Sequence, residues 1–257
     1  MVNDYKLSIL LPVYHEKEAF SIMIKILEAT VDIPYEILVI YDHPDDNTVE
    51  CAKDLQHKFS NIRLVFNDLG RGAQNAIKKG LEVSKGEIIL ITAVDEIFPI
   101  MAIKEMLELI ETKKCDFVSG TRYALGGKRL GGSLIGGILS RIANKVFRLI
   151  TGLVLTDATT GIKMIKKSEF KQLTIEARPI GWAFAFELAI KAQLSGLRLG
   201  EIPLTSVDRL FGGNSTFRLG AWFKEYIRWF FWGVKRLNRF NRKQHKVITL
   251  EKYLAKQ

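Results

Sequence analysis

Short apolar runs that alternate with amphipathic segments are the feature of this chain that most constrains its fold. Strand-like runs occupy residues 7–13, 36–41, 63–66, 87–92 and 117–119, and helix-like segments occupy residues 18–30, 72–83 and 100–112. Apolar runs without polar alternation are typical of strands that are covered on both faces, as in parallel sheets. The sequence therefore predicts an α/β fold with a mostly parallel, doubly wound sheet flanked by helices.

Length and composition indicate one sizeable core. The chain has 257 residues, of which 47% are hydrophobic and 26% are charged, as in an ordinary folded domain. We expect one domain over residues 1–217 and a distinct C-terminal segment over residues 218–257. Cys51 and Cys115 show neither metal-ligand spacing nor a disulfide framework, which favours a reducing cytoplasmic compartment. The first apolar run lacks a preceding basic stretch, so we expect no secretion signal.

The C-terminal segment is both basic and aromatic. From residue 218 onward, eleven basic residues accompany two acidic ones, within a formal net charge of +10. Large apolar side chains are interspersed at near-helical spacing, among them Trp222, Tyr226, Trp229, Phe230 and Leu237. Because cations interrupt the run, a spanning helix is disfavoured and an amphipathic helix at a membrane surface is favoured. A helix docked on the core with a solvated basic face is the alternative. Nothing else in the chain argues for a nucleic-acid partner.

Polar residues follow three of the predicted strands. They are Pro12, Tyr14, His15 and Glu16 after the first run, Asp42, Asp45 and Asp46 after the second, and Asp95 and Glu96 after the fourth. In open α/β sheets ligands bind beyond the carboxyl ends of the strands, so these residues are expected to converge. Grouped carboxylates call for a cation or for ribose or base donors. A turn followed by a helix N-cap is the alternative for residues 45–48.

Six segments occur in a fixed order that is more specific than any one of them. They are PVYHE (12–16), VIYDHPDDNT (39–48), NDLGRGAQNAIKKG (67–80), SGTRY (119–123), DATTGIKM (157–164) and EIPLTSVDR (201–209). Together they resemble the motifs of glycosyltransferase family 2, and within it the dolichyl- or polyprenyl-phosphate mannose synthase branch. The resemblance covers nearly the whole chain to about residue 218. It implies a GT-A-type, Rossmann-like fold.

The resemblance also implies a site for a nucleoside-diphosphate sugar in the first three loops. The residues that match are Pro12, Tyr14, Glu16, Asp42, Arg71 and Asp95. His15 stands where the family motif has Asn, and the family's metal-binding D-x-D is reduced in ITAVDEIFP (91–99) to Asp95 followed by Glu96. Mg²⁺ or Mn²⁺ needs only one or two protein carboxylates when diphosphate and water complete its coordination. Asp95 and Glu96 are therefore the candidate metal ligands.

Charge considerations point to the remaining candidate residues. Displacement of a nucleoside diphosphate builds negative charge on the leaving group, and the resemblance assigns Arg122 and Arg209 to it. Asp157 matches the family position near the acceptor phosphate, which completes the candidate catalytic set. An alcohol acceptor needs a general base, whereas a prenyl phosphate is already ionised and needs only cations. Arg122, Lys128, Arg129 and Arg141 are candidates to bind it, with a solvated basic loop as the alternative.

Three further segments leave alternatives open. Residues 131–155 form a second amphipathic, glycine-containing stretch, either a mobile flap at the entrance or a core helix. Glu187, on a predicted helix over residues 182–192, is either a functional acid or a solvated helix residue. The FGGNST segment (211–216) resembles a loop that closes on the diphosphate.

The sequence thus predicts an inverting glycosyltransferase that moves a hexose, mannose or glucose, from a GDP- or UDP-sugar to a polyprenyl or dolichyl phosphate. We expect it on the cytoplasmic, inner face of a membrane, held peripherally by amphipathic helices and completed by a membrane partner subunit if one exists. One alternative is a transferase with a soluble saccharide acceptor. The other is a non-catalytic subunit that binds nucleotide-sugar or acts as a scaffold.

Overall fold

The computed structural model describes residues 5–132, 134–208, 219–237 and 246–254. Within these ranges a seven-stranded sheet has the spatial order β3-β2-β1-β4-β7-β5-β8, with a separate two-stranded pair, β6 and β9. The strands are β1 (Leu7–Pro12), β2 (Tyr35–Tyr41), β3 (Ile62–Phe66), β4 (Ile88–Ile91), β5 (Phe117–Thr121), β6 (Lys128–Gly131), β7 (Lys163–Lys166), β8 (Leu199–Pro203) and β9 (Thr205–Asp208). All pairings are parallel except those of β7 with β4 and β5. The predicted mostly parallel sheet is confirmed.

Helices cover both faces of this sheet. They are α1 (Lys17–Thr30), α2 (Asn47–Gln56), α3 (Ala73–Val83), α4 (Ile103–Glu111), α5 (Leu134–Thr151), α6 (Lys167–Gln172), α7 (Ala183–Leu194), α8 (Leu219–Arg236) and α9 (Glu251–Leu254), with a short 3₁₀ helix at Phe98–Ala102. Side chains alternate between the two faces of each strand, so Ile9 joins the core under α1 and α4 whereas Leu10 joins the core under α3 and α7. The core therefore lies in two layers.

Two details of the first βαβ units set the geometry of the strand ends. A Cβ on Gly80 of α3 would lie 2.5 Å from Ile40 Cδ1, so this glycine lets α3 approach the sheet closely. Asp46 caps α2, since its side chain accepts a hydrogen bond from the Thr48 amide at 2.8 Å. The turn and N-cap interpretation of residues 45–48 is confirmed.

The described parts of the C-terminal segment pack on the domain. Helix α8 buries Trp229, and Leu237 directly after it is also buried. A Cβ on Gly233 of α8 would meet Phe147 of α5 at 2.5 Å. Ile248 pairs with Gly200 beside β8, and Leu250 is buried near α4. No helix among the described residues combines the length and the apolar character needed to cross a bilayer.

Candidate active site

The loop after β1 is fastened to the start of α2. The His15 amide donates to Asp46 Oδ2 at 3.0 Å, and the Glu16 amide donates to Thr48 Oγ1 at 2.9 Å. His15 has a φ of 57°, a left-handed conformation that His and Asn adopt more readily than most residues. That shared tolerance accounts for a histidine where the family motif has asparagine. Tyr14 is exposed beside it.

Asp42, directly after β2, holds the loop that precedes α3. Its Oδ2 accepts from the Gly72 amide at 3.1 Å, and the exposed Arg71 lies next in the chain. Gly72 has a φ of 112°, and a Cβ there would lie 2.8 Å from the Pro179 carbonyl oxygen. Only glycine fits both constraints, so this loop touches the segment that leads into α7.

A third acidic loop follows β4 and faces the first. Burial, together with the charges of Asp95 and Asp46, raises the pKa of Glu16 to about 8 against a hydrogen bond from the Tyr14 amide. The carboxyl ends of β1, β2 and β4 therefore do converge. Burial favours the protonated form of Glu16 and the nearby negative charges add to that effect, so a counter-ion at this edge would favour its ionised form.

This acidic cluster is compatible with a divalent cation of limited protein coordination. The described residues contain no group of three or more His, Cys, Asp and Glu side chains arranged to hold a metal. Asp95 offers a carboxylate in the loop after β4, while Glu96 Oε1 accepts from the Ser206 hydroxyl of β9 at 2.9 Å. Such a donor set suits an ion that takes most of its ligands from diphosphate and water.

Arg122 and Asp157 form the most tightly bonded pair of the site. Arg122 donates from Nε to Asp157 Oδ2 at 2.7 Å and from Nη2 to Asp157 Oδ1 at 3.0 Å, and its amide adds a third bond at 3.2 Å. Thr159 and Thr160 also donate to Oδ1. Asp157 is 0% exposed, and although burial alone would raise its pKa, the Arg122 charge brings it below its ordinary value. The carboxylate is ionised and fully occupied.

Beneath this pair lie two further buried charges that the sequence analysis did not single out. Lys163 Nζ donates to Ser119 Oγ at 2.7 Å, and Glu201 accepts from the amides of Thr156 and Asp157. Burial lowers the pKa of Lys163 to about 7 and raises that of Glu201 to about 7. Both residues fall inside the six motif segments. The sequence signal that could have identified them is a charged side chain within an otherwise apolar strand.

The candidate acceptor cations lie on β6 and α5. Lys128 of β6 is exposed and lies opposite Thr205 of β9 in the strand pairing. Arg129 is half-buried, and its guanidinium lies 3.7 Å from the position that a Cβ on Gly137 of α5 would occupy. Arg141 is exposed on α5. These three cations belong to adjoining elements, and their assignment stays a prediction.

Helix α5 is bonded directly to the loop that holds Asp157. Asn144 Nδ2 donates to Thr159 Oγ1 at 3.0 Å, and Asn144 Oδ1 accepts from the Ala158 amide at 2.9 Å. Tyr123 OH donates to Ser140 Oγ at 2.8 Å. Sequence reasoning missed Asn144, for which a polar residue on the inner side of an amphipathic helix was the only signal.

The remaining predicted features are Arg209, the loop over residues 211–216, and Glu187. Arg209 and residues 211–216 lie outside the described residues. Glu187 is not solvated: it is buried and accepts from the amides of Glu176 and Ala177, each at 2.7 Å, because α7 is enclosed by the core. Its role is to hold the segment that leads into α7.

Comparisons with known proteins agree with this geometry. The model of the family "Glycosyl transferase family 2" matches residues 8–174. A dolichol-phosphate mannosyltransferase of Pyrococcus furiosus is 26% identical over 226 residues, which are 87% of this chain and 62% of that protein. The glycosyltransferase AglD of Haloferax volcanii is 25% identical over 206 residues, 77% of this chain and 32% of that protein. The chain thus spans less than two thirds of either relative.

A solved structure shares the fold. Glucosyl-3-phosphoglycerate synthase of Mycobacterium tuberculosis, in complex with Mn²⁺, UDP and glucosyl-3-phosphoglycerate, has a TM-score of 0.67 and 16% identity over 90% of this chain and 80% of that one. At that identity the likeness concerns the fold alone, which is of the GT-A type. Because the family model covers more than half of the chain, the protein belongs to glycosyltransferase family 2.

Proposed function

We propose that this enzyme moves a hexose, mannose or glucose, from a GDP- or UDP-sugar to the phosphate of a polyprenyl or dolichyl lipid. The observation that carries the proposal is the state of Asp157, which is buried with both oxygens engaged by Arg122. An alcohol acceptor would need a general base, and a carboxylate held in this way cannot serve as one. A phosphate acceptor is already ionised, so it needs only cations.

The cations available for that phosphate are Arg122, Lys128, Arg129 and Arg141, with Arg209 added by the family resemblance. Direct attack of the phosphate oxygen on the anomeric carbon breaks the bond to the nucleoside diphosphate and inverts the configuration. Fixed guanidinium groups in a buried setting stabilise the charge that develops on the leaving diphosphate. Arg122 supports this role because Asp157 fixes its orientation.

The donor is assigned to the three acidic loops. Pro12, Tyr14, Glu16, Asp42 and Arg71 are proposed to line the nucleotide-sugar site, at the strand ends where such sheets bind ligands. Asp95 and Glu96 would hold a divalent cation, Mg²⁺ or Mn²⁺, which supplies positive charge to the diphosphate. Solved complexes of the M. tuberculosis synthase contain Mn²⁺ with UDP or UDP-glucose, which supports a metal and a nucleotide here.

Membrane contact is assigned to the exposed faces of α5 and α8. On α8, Phe223 and Phe231 are 62% and 64% exposed, with Ile227 between them at the same helical face. On α5, Leu134 and Ile138 are 82% and 60% exposed, and five more apolar residues share this exposure. The two helices touch through Phe147 and Phe230, whose ring centroids are 5.1 Å apart. Apolar faces beside cations are typical of helices that lie in a membrane surface.

These features support a peripheral enzyme at the inner membrane face, with a membrane partner subunit as a further element of the proposal. The dolichol-phosphate mannosyltransferase of Pyrococcus furiosus acts on a lipid phosphate by name. The M. tuberculosis synthase, solved with phosphoglyceric acid, shows that the same fold accommodates a different acceptor. Acceptor class is therefore what an experiment must decide.

The test is transfer of labelled hexose from a panel of GDP- and UDP-sugars to polyprenyl phosphate in detergent, with Mg²⁺, Mn²⁺ or chelator. We expect labelled lipid from one donor, only with metal, and a product anomer opposite to that of the donor by NMR. Labelled soluble saccharide without labelled lipid would overturn the lipid acceptor. Donor binding without transfer to any acceptor would favour a non-catalytic subunit.

A further inference from the structure

A basic cavity of about 420 Å³ lies between α8 and the segment before α7. Its charged lining consists of Arg178, Lys224, Arg228 and Glu225, on a floor that includes Ile180 and Ala221. None of these residues belongs to the donor loops or to the proposed acceptor cations. With three cations against one carboxylate, the cavity carries a net positive charge.

The buried Glu225 fixes the Arg228 guanidinium and the backbone of Arg178 at this cavity. It accepts from the Arg178 amide at 3.0 Å, from Arg228 Nη1 at 2.6 Å and from Trp229 Nε1 at 3.1 Å. The Arg228 guanidinium also lies over the Trp229 ring, 5.1 Å from its centroid. A guanidinium has five N–H donors, and these contacts engage only some of them. Arg228 is therefore oriented while its guanidinium retains donors for an anion, and the Arg178 guanidinium, 72% exposed, lies 4.0 Å from Glu225 Oε2.

The cavity adjoins the exposed apolar face of α8. Lys224 and Arg228 directly follow Phe223 and Ile227 in the chain, so the basic and apolar stripes run side by side along the helix. Arginine and lysine are the usual partners of phosphate. A phosphate bound here would have its attached apolar groups next to an apolar protein face, as in a membrane lipid.

We propose that this cavity binds the phosphate of an anionic membrane lipid, at a site separate from that of the acceptor. The inference rests on the membrane contact in the proposed function and does not depend on the proposed reaction. The shared chemistry is a phosphate ester, so a soluble phosphate ester is the other source that an experiment must separate from a lipid. The bound lipid would hold α8 at the surface and orient the enzyme.

The experiment compares two double variants of the full chain that remove the same charge from α8 and its surroundings. Arg178→Gln with Lys224→Gln alters the cavity, whereas Lys235→Gln with Arg236→Gln alters cations of the same helix outside it. Flotation measures binding to phosphatidylcholine vesicles with and without phosphatidylglycerol. Loss of a surface cation weakens binding to anionic lipid by about fivefold. We expect the cavity variant to lose at least about fivefold more of the anionic preference than the control.

Other outcomes would overturn the inference. Equal losses in the two variants would mean that only overall charge matters. Calorimetry measures the binding of glycerol phosphate in the absence of vesicles. If that binding accounts for the whole preference, the cavity would be assigned to a soluble phosphate ester. Failure of the wild-type chain to float with any vesicle would overturn both the lipid site and membrane docking. Hexose transfer to a short-chain polyprenyl phosphate in detergent should be unchanged in the cavity variant, so a failure of the cavity site is distinguishable from a failure of the proposed reaction.

Discussion

Among single residues, Arg122 carries most of the chemistry proposed for this enzyme. Burial opposes its charge, yet the neighbouring Asp157 raises the pKa of the guanidinium above its ordinary value, so it stays a cation. A fixed cation in a poorly solvated site acts more strongly on developing negative charge than one in water. In the proposed reaction, Asp157 therefore contributes by positioning Arg122 rather than by touching the substrate.

Replacement of Asp157 tests this positioning role. Asp157→Asn keeps the shape but removes the charge and one acceptor oxygen, so Arg122 should lose its fixed orientation. We expect kcat to fall on the order of a hundredfold, with donor Kd changed much less, because small misplacement of a reacting group is costly. Steady-state kinetics and donor titration measure the two quantities. Equal losses in both would refute the assignment.

The variant also has a stability cost that must be measured. Removing one partner of a buried ion pair costs about 3–5 kcal/mol, so urea unfolding should accompany the kinetics. Arg122→Lys provides the second variant, since lysine keeps the charge but cannot form the two-pronged bond. It should show the same split between kcat and donor Kd.

Lys163 should make stability depend on pH. Its pKa is lowered to about 7 in the folded state from an ordinary 10.5, because burial disfavours the charged form. Between these values the unfolded chain binds more protons, so stability should rise with pH by up to about 1.4 kcal/mol per unit. Lys163→Met should remove that rise in urea unfolding measured from pH 7 upward. Lys166→Met, on the same strand but partly exposed and paired with Asp116, should keep it.

The two candidate metal ligands should differ in effect. Asp95 lies at the carboxyl end of β4 near Glu16, while Glu96 is bonded to Ser206. We expect Asp95→Asn to raise the half-saturating Mn²⁺ concentration for transfer by at least about tenfold, the equivalent of about 1.4 kcal/mol. Glu96→Gln, which can keep the bond to Ser206, should change it less. A larger effect from Glu96→Gln would reverse the assignment of the main ligand.

Among the elements, the turn between β3 and α3 depends on Gly72. Gly72→Ala would place a Cβ in a positive-φ residue and against Pro179, whereas Gly196→Ala meets a positive φ of 71° in open space. Gly196→Ala should lose about 1–2 kcal/mol in unfolding experiments from left-handed strain alone, and Gly72→Ala should lose more, because its Cβ would also meet the Pro179 carbonyl oxygen. Only Gly72→Ala should also weaken donor binding in titrations, because it displaces the loop held by Asp42. Equal donor affinity in the two variants would contradict this.

Helix α8 shows why its pattern could not be assigned to one partner from sequence. Trp229 is buried in the core at 1% exposure, and Gly233 packs against α5 and α7. Phe223 and Phe231 of the same helix stay exposed. The sequence analysis weighed a membrane helix against a docked helix with a solvated basic face. The structure shows α8 docked on the core, but its outer face is apolar as well as basic. A helix with aromatic residues on all sides has enough apolar surface to contact both the core and a second apolar partner.

Across the whole molecule, α5 connects the proposed membrane surface with the reaction. Its inner side is bonded to Thr159 through Asn144, and its outer side exposes Ile138 and Ile142. Changes at the outer side should therefore affect use of a lipid in a membrane more than the chemistry itself.

The corresponding variant is Ile138→Ser with Ile142→Ser. We expect vesicle binding to weaken by about tenfold for each residue, as the loss of apolar contact implies. Transfer to long-chain polyprenyl phosphate in vesicles should fall with it, while transfer to a short-chain acceptor in detergent should not. Ile22→Ser on α1, which is also exposed, is the control that should change neither. A loss confined to the detergent assay would place α5 in the reaction instead.

The sequence by itself determined β1 to β5, the helices α1, α3 and α4, the mostly parallel sheet and the family. Buried strands and their following polar loops are local patterns, and the six ordered motifs need no coordinates. Asp42, Glu16 and Asp95 could be placed at one edge because parallel strands end together. The sequence also identified Arg122 and Asp157 as candidates through the resemblance.

Only the tertiary structure decided what each of these residues contacts. The antiparallel insertion of β7 places Lys163 beneath Asp157, and β8 brings Glu201 there from 44 residues further along the chain. The full occupation of Asp157 by Arg122, and the cavity around Glu225, are likewise products of long-range packing. The physical reason is that periodicity reports which face of an element is apolar, whereas the partner of a buried polar group depends on which distant elements the fold brings together.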